Sequence, residues 1–176
     1  MVTLAAVSSL GKILPFVRGT TDHPGVLYFA FGSNLSTVQM RERCPGSVPI
    51  GPALLEGREL GFAYRSQNFP PGGGADVVES EGSEVWGALY RITDDDLGLL
   101  DRFEHVGSGG YRRIEVSVDH GGGLEQALCY EVADRLDYEV APIAEYRRLM
   151  LEGSAEHGLP TEWIAFLEGR FAELDD

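Results

Sequence analysis

The chain has 176 residues, 43% of them apolar and 10% aromatic, which suits a globular protein with one real core. Its 28 acidic residues outnumber 14 basic ones, for a formal net charge of -14. That field repels phosphate backbones and anionic lipid, so nucleic acid and membranes are set aside as partners.

Residues 1–25 read as a separate N-terminal arm. Leu4 to Leu10 is mildly apolar, but no basic residue precedes it as a secretory leader would require. From residue 26 to 176 no linker divides the sequence, and a single domain is expected. Val26 to Phe31 is apolar and aromatic, a buried strand. It stops at Gly32-Ser33-Asn34, after which Ser36 or Thr37 caps a short helix to about Arg43, ended by Pro45 and Gly46. Val48 to Tyr64 holds one or two strands, with Leu60, Phe62 and Tyr64 alternating around small residues. Asn68 to Gly74, rich in Pro and Gly, is a loop and a candidate lid.

Ala75 to Val78 reads as a strand followed by a polar turn through Gly82, and Val85 to Tyr90 as a second strand. Thr93 then caps a helix whose first turn carries Asp94, Asp95 and Asp96, favourable at the positive end of its dipole. Leu97, Leu100 and Phe103 share one face of that helix. Gly107 to Gly110 breaks the chain, and Tyr111–Val118 pairs with Leu124–Val132 around three glycines. Pro142 opens a helix to about Glu156, and Pro160 opens another. Strands mostly precede helices without regular alternation, which predicts an α+β fold with a largely antiparallel or mixed sheet, curled into a small barrel.

The chemistry-bearing residues narrow the function. Lys12 is the single lysine, which disfavours Schiff-base and pyridoxal chemistry. Cys44 and Cys129 stand far apart, and the four histidines make no metal-ligand spacing, so neither a metal nor another cofactor is expected. The absence of a disulfide framework favours a reducing, cytoplasmic setting. Gly32-Ser33-Asn34 is most often a plain strand-ending turn. It also aims backbone N–H groups at one point, where an anion or oxyanion can sit. It has neither a P-loop's spacing nor a nucleophile elbow, so Ser33 with His105 and Asp101 makes a weak hydrolase reading. Asp101 and Glu104 share a helical face, ordinarily a solvated one. Glu104 differs in having Phe103 and Val106 beside it. Burial there raises a carboxyl pKa and makes it a usable proton shuttle. Tyr111, Tyr130 and Tyr146 read as core tyrosines or pocket donors. Arg112 and Arg113 open a strand and face opposite ways, and Trp86 and Trp163 read as packing residues.

Taken together, these pieces resemble the γ-glutamylcyclotransferase family over about Leu27 to Glu168. Tyr28-Phe29-Ala30-Phe31-Gly32-Ser33-Asn34-Leu35, Glu84-Val85-Trp86-Gly87, Leu100-Asp101-Arg102-Phe103-Glu104, Gly110-Tyr111 and Tyr146-Arg147-Arg148 leading to Gly158-Leu159-Pro160 fall in family order. The resemblance implies a small mixed β-barrel with flanking helices. It also implies release of 5-oxoproline from a γ-glutamyl amino acid or amine, without a cofactor. Its essential glutamate falls on Glu104, its substrate loop on Phe31, Gly32, Ser33, Asn34 and Leu35, and its pocket tyrosines on Tyr111, Tyr130 and Tyr146. The family usually has Tyr where this chain has Phe31. A small-molecule γ-glutamyl substrate is thus the expected partner, and a homodimer the default assembly. A specialised deprotecting enzyme and a non-catalytic carboxylate binder are the alternatives.

Overall fold

A computed structural model describes residues 25–66 and 70–176. Five strands close into a barrel, namely β1 (Val26–Ala30), β2 (Val48–Arg65), β3 (Gly73–Ile92), β4 (Tyr111–Asp119) and β5 (Leu124–Val132). Their order is β1-β3-β2-β4-β5. Every pairing is antiparallel except β1 with β5, where Tyr28 lies parallel to Leu128. Four helices flank the barrel: α1 (Thr37–Arg43), α2 (Asp94–Phe103), α3 (Ala144–Glu156) and α4 (Thr161–Glu173). The expected α+β barrel is the one found. Closure removes most exposed sheet edge, and side chains such as Phe29, Phe62, Val77 and Leu89 are buried in the core.

Local chemistry accounts for most boundaries. Ser36 Oγ accepts from Gln39 N–H and caps α1, while Thr37 instead bonds Glu156 through both N–H and hydroxyl. Thr93 and Asp96 exchange hydrogen bonds at 3.1 Å in a reciprocal cap on α2. The second oxygen of Asp96 accepts from Gly46 N–H at 3.2 Å. One carboxylate thereby fixes both the start of α2 and the turn after α1. Pro160 precedes α4 directly, whereas α3 begins two residues beyond Pro142, whose carbonyl accepts from Arg147.

The one or two strands expected at Val48 to Tyr64 are a single one, bent at three register shifts. Two expectations need correction. The polar stretch around Gly82 does not reverse the chain. It bulges out of β3 opposite Gly57, between the pairs Arg58↔Glu79 and Glu56↔Glu84. Its side chains are polar because they project from the barrel, which a one-dimensional pattern cannot distinguish from a turn. Phe103 is 47% exposed rather than in the core with Leu97 and Leu100. Among the described residues no helix is long and apolar enough to cross a membrane. Residues 1–24 of the arm, residue 67, and residues 68–69 of the candidate lid lie outside the described part.

Candidate active site

Where β1 ends, the chain tightens into a single 3-10 turn at Ser33–Leu35. Leu35 N–H closes onto the Gly32 carbonyl at 3.0 Å, and Ser36 N–H onto that of Ser33 at 3.1 Å. Gly32 is required by crowding, since a Cβ there would stand 2.6 Å from the Tyr146 hydroxyl. The Leu35 carbonyl accepts from Tyr90 at 3.2 Å and lies 3.0 Å from His157 Nε2. Helix α3 crosses directly over the turn at Gly153, where an added Cβ would fall 2.4 Å from the Leu35 carbonyl carbon. The turn is therefore wedged between the barrel and α3.

Asn34 is the hub of the site. Its Nδ2 donates to the Tyr28 hydroxyl at 2.9 Å and to Glu104 Oε1 at 3.1 Å. Its Oδ1 accepts from Arg43 Nη1 at 2.8 Å and from Gln39 Nε2 at 3.1 Å. With two donors against it, the amide oxygen cannot trade places with the nitrogen. Glu104 ends α2, and its N–H bonds the Leu100 carbonyl at 2.8 Å. The next residue, His105, turns left-handed with φ 54° and sends the chain back toward β4. Tyr111 N–H then bonds the Glu104 carbonyl at 3.0 Å. Glu104 is thus pinned by backbone on both sides, with its side chain only 15% exposed. Burial raises its pKa above the ordinary carboxylate value, while the Arg43 charge and the Asn34 hydrogen bond pull the other way.

This carboxyl opens into a cavity of about 240 Å³, walled by Phe31, Gly32, Ser33, Asn34, Glu104, Tyr111, Tyr130 and Tyr146. Residues as far apart in the sequence as Phe31 and Tyr146 are thereby brought to one place. The tyrosines differ in how their hydroxyls are used. Tyr111 donates to the Ala75 carbonyl at 3.0 Å, and Tyr130 donates to Asp101 at 2.9 Å. Tyr146 oxygen accepts from Ala75 N–H at 3.0 Å and from the Ser33 backbone. Burial holds all three phenols above their ordinary pKa, so they serve as neutral donors.

Leu35 is not part of the cavity wall. It is fully buried beneath α3, because a 3-10 turn of three residues points its last side chain back into the core. The hydrolase reading also fails. Asp101 is held by Arg113 and Tyr130, and Ser33 Oγ accepts from Gln39 Nε2 at 2.9 Å. Arg112 bonds Glu131 and Arg113 bonds Asp101, so neither reaches the cavity. Among the wall residues that sequence reasoning missed are Tyr28, Gln39, Arg43 and Tyr64. Gln39 and Arg43, four apart on α1, share the face toward Asn34, a helical spacing visible in the sequence. Tyr64 had no such signal, and its buried hydroxyl has no protein partner among the described residues. Among those residues no group of three or more His, Cys, Asp or Glu could hold a metal.

The AIG2-like family matches residues 84–167. Gamma-glutamylcyclotransferase of Bos taurus is 36% identical over 147 residues, 81% of this chain and 77% of that protein. The Homo sapiens protein of the same name is 35% identical over 146 residues, with the same coverage. A solved structure titled "Gamma-glutamyl cyclotransferase" superposes with a TM-score of 0.76 at 32% identity, covering 82% of this chain and 86% of that one. The chain belongs to the γ-glutamylcyclotransferase family and is an enzyme of that type.

Proposed function

We propose that this protein cyclises γ-glutamyl amides, releasing 5-oxoproline and the free amine, with Glu104 as the proton shuttle. The observation that carries the reading is the half-enclosed Glu104 carboxylate, 3.1 Å from Asn34, facing the Gly32 turn across one cavity. The substrate's α-ammonium gives a proton to Glu104, and the freed amine attacks its own γ-carbonyl carbon. A C–N bond forms and closes a five-membered ring. The original amide C–N bond then breaks as the proton held by Glu104 passes to the departing nitrogen. The ring nitrogen, which attacked as NH₂, gives its surplus proton to the freed carboxylate, which hands it on to the released amine. No water is consumed, and Glu104 ends as it began.

Most of the gain comes from shape. Holding the flexible γ-glutamyl arm in a near-attack fold can remove about 7–11 kcal/mol from such a barrier. Acid–base transfer adds roughly 100- to 10,000-fold. Tyr146 suits the substrate end of the cavity, because its oxygen accepts from backbone and leaves the phenolic proton to donate. The Gly32 and Asn34 N–H groups are the further candidates, since Leu35 N–H is spent inside the turn. Phe31 fills the wall with an apolar ring, so its contribution runs through packing and backbone.

One feature favours a leaving amine without its own carboxylate. Among the described residues Arg43 is the only Lys or Arg lining the cavity, and it already faces Asn34 and Glu104. Glu145 adds a further acid to the lining. A γ-glutamyl amino acid brings a second carboxylate into these surroundings; a γ-glutamyl amine does not.

The decisive experiment is Glu104→Gln assayed for 5-oxoproline against a panel of γ-glutamyl amines and γ-glutamyl amino acids. The expected result is loss of at least about 100-fold in kcat, with 5-oxoproline binding by calorimetry retained. Undiminished turnover in that variant would remove Glu104 from the mechanism. Binding without turnover in the unaltered protein would instead mark a carboxylate binder.

A further inference from the structure

Helix α1 sends one charged residue into the cavity, and nothing in the reaction as written above uses it. Arg43 Nη1 donates to Asn34 Oδ1 at 2.8 Å and stands 3.9 Å from Glu104 Oε1, too far for a direct hydrogen bond. Its guanidinium carbon lies 5.0 Å from the centre of the Phe103 ring. This accounts for the position of Phe103, which leaves the core to cover the arginine. The arginine side chain is 24% exposed and the glutamate 15%, so solvent screens the pair only partly.

Two consequences follow from this arrangement. The first is geometric. Arg43 and Gln39 both donate to Asn34 Oδ1, which forces the amide NH₂ to face Glu104 and Tyr28. Without those donors the amide can turn over and present its oxygen to the carboxylate. The second is electrostatic. The groups that face Glu104 from other elements are Tyr28 on β1, Tyr64 on β2, Tyr111 on β4, Tyr130 on β5 and Tyr146 on α3, with Cys44 just beyond α1. His105 and Glu145 line the same cavity, and Glu145 is paired with Arg148. None of the phenols or the thiol supplies a positive charge. The guanidinium does.

We propose that Arg43 is the positioning residue for Glu104: it orients the carboxylate through Asn34 and keeps it anionic between turnovers, ready to take the substrate's ammonium proton. Burial alone works against the anionic form of Glu104, the form that can act as a base. Arg43 offsets that burial. It does so from beyond hydrogen-bond distance, so the carboxylate can still take up the proton and release it. A guanidinium in direct bidentate contact would hold the carboxylate anionic too firmly to carry a proton. This role rests on the assignment of Glu104 as the shuttle.

The test is the pH dependence of kcat/KM for 5-oxoproline release in Arg43→Met and Arg43→Lys, with Glu104→Gln alongside. In Arg43→Met the acidic limb should move to higher pH. At pH values below the new limb the loss should be about tenfold or more, easing as pH rises to a plateau that stays below wild type because the Asn34 contact is lost as well. Arg43→Lys keeps the charge but not the planar fork. Its limb should stay near that of wild type while its plateau falls. A uniform loss at every pH in Arg43→Met, or no loss, would overturn the proposal, as would an Arg43→Lys limb displaced like that of Arg43→Met. Should Arg43→Met not fold, Arg43→Gln, which keeps an amide donor without the charge, takes its place, and its limb should be displaced in the same direction. An active Glu104→Gln would defeat the shuttle assignment. An inactive Glu104→Gln with an unmoved limb in Arg43→Met would defeat only the role of Arg43.

Discussion

A carboxyl kept in a tyrosine-walled cavity is costly to the fold that holds it. Burial raises the pKa of Glu104 above that of the same residue in the unfolded chain. The native state therefore binds the proton more tightly. Stability from this group is fully present below about pH 4.3, the ordinary glutamate value. It is lost as pH rises through the native pKa. Glu104→Gln has no such proton to lose. The variant should melt at a higher temperature than wild type at neutral pH, and the two should converge in acid. Thermal denaturation at several pH values measures this, and a lower melting temperature for the variant at neutral pH would contradict it. A site residue whose removal stabilises the protein while stopping turnover is the usual mark of function held against stability.

Among the elements, α3 does most to shape the cavity. It carries Tyr146 into the wall, and at Gly153 it lies against the backbone of the Gly32 turn. A methyl group at Gly153 would meet the Leu35 carbonyl and Ser36 nitrogen within 2.6 Å, and these backbone atoms have no room to yield. Gly153→Ala should destabilise the fold by about 1–3 kcal/mol, as overpacking does, and should lower kcat as Tyr146 moves. Chemical denaturation with parallel kinetics checks both, and an unchanged kcat would separate α3 from the site. Much of this element layer was legible in the sequence, because strands, caps and the β4–β5 hairpin are written in local patterns. Val26 to Phe31, Thr93 and the glycines at 121–123 are examples. The long β3 strand was not legible, since a bulge of polar residues projecting into solvent looks like a turn. Glu104, Asn34 and the three tyrosines could be named from motifs. Tyr28 and Tyr64 could not, because their proximity is created only when the barrel closes, whereas the Gln39 and Arg43 spacing on α1 was there to be read.

At the scale of the whole molecule, the net charge of -14 sets how substrates arrive. A γ-glutamyl amine carries one positive and one negative group and is neutral overall, whereas a γ-glutamyl amino acid with a neutral side chain carries a net negative charge. Repulsion therefore slows only the latter. Raising ionic strength from about 0.01 M to about 0.15 M shortens the screening length from about 30 Å to about 8 Å. It should raise kcat/KM for γ-glutamyl amino acids and leave γ-glutamyl amines nearly unchanged. Equal salt responses in steady-state assays would show that the global field does not reach the cavity. The parallel pairing of β1 with β5 has a consequence for synthesis. The strand that ends at Gly32 emerges early from the ribosome, but it cannot be fully paired until Leu128 has followed, nor roofed over until Tyr146 and Gly153 have been added. A nascent chain shorter than this has no half-built catalyst to offer. Competence comes late in translation and all at once, which confines any premature ring closure to finished molecules.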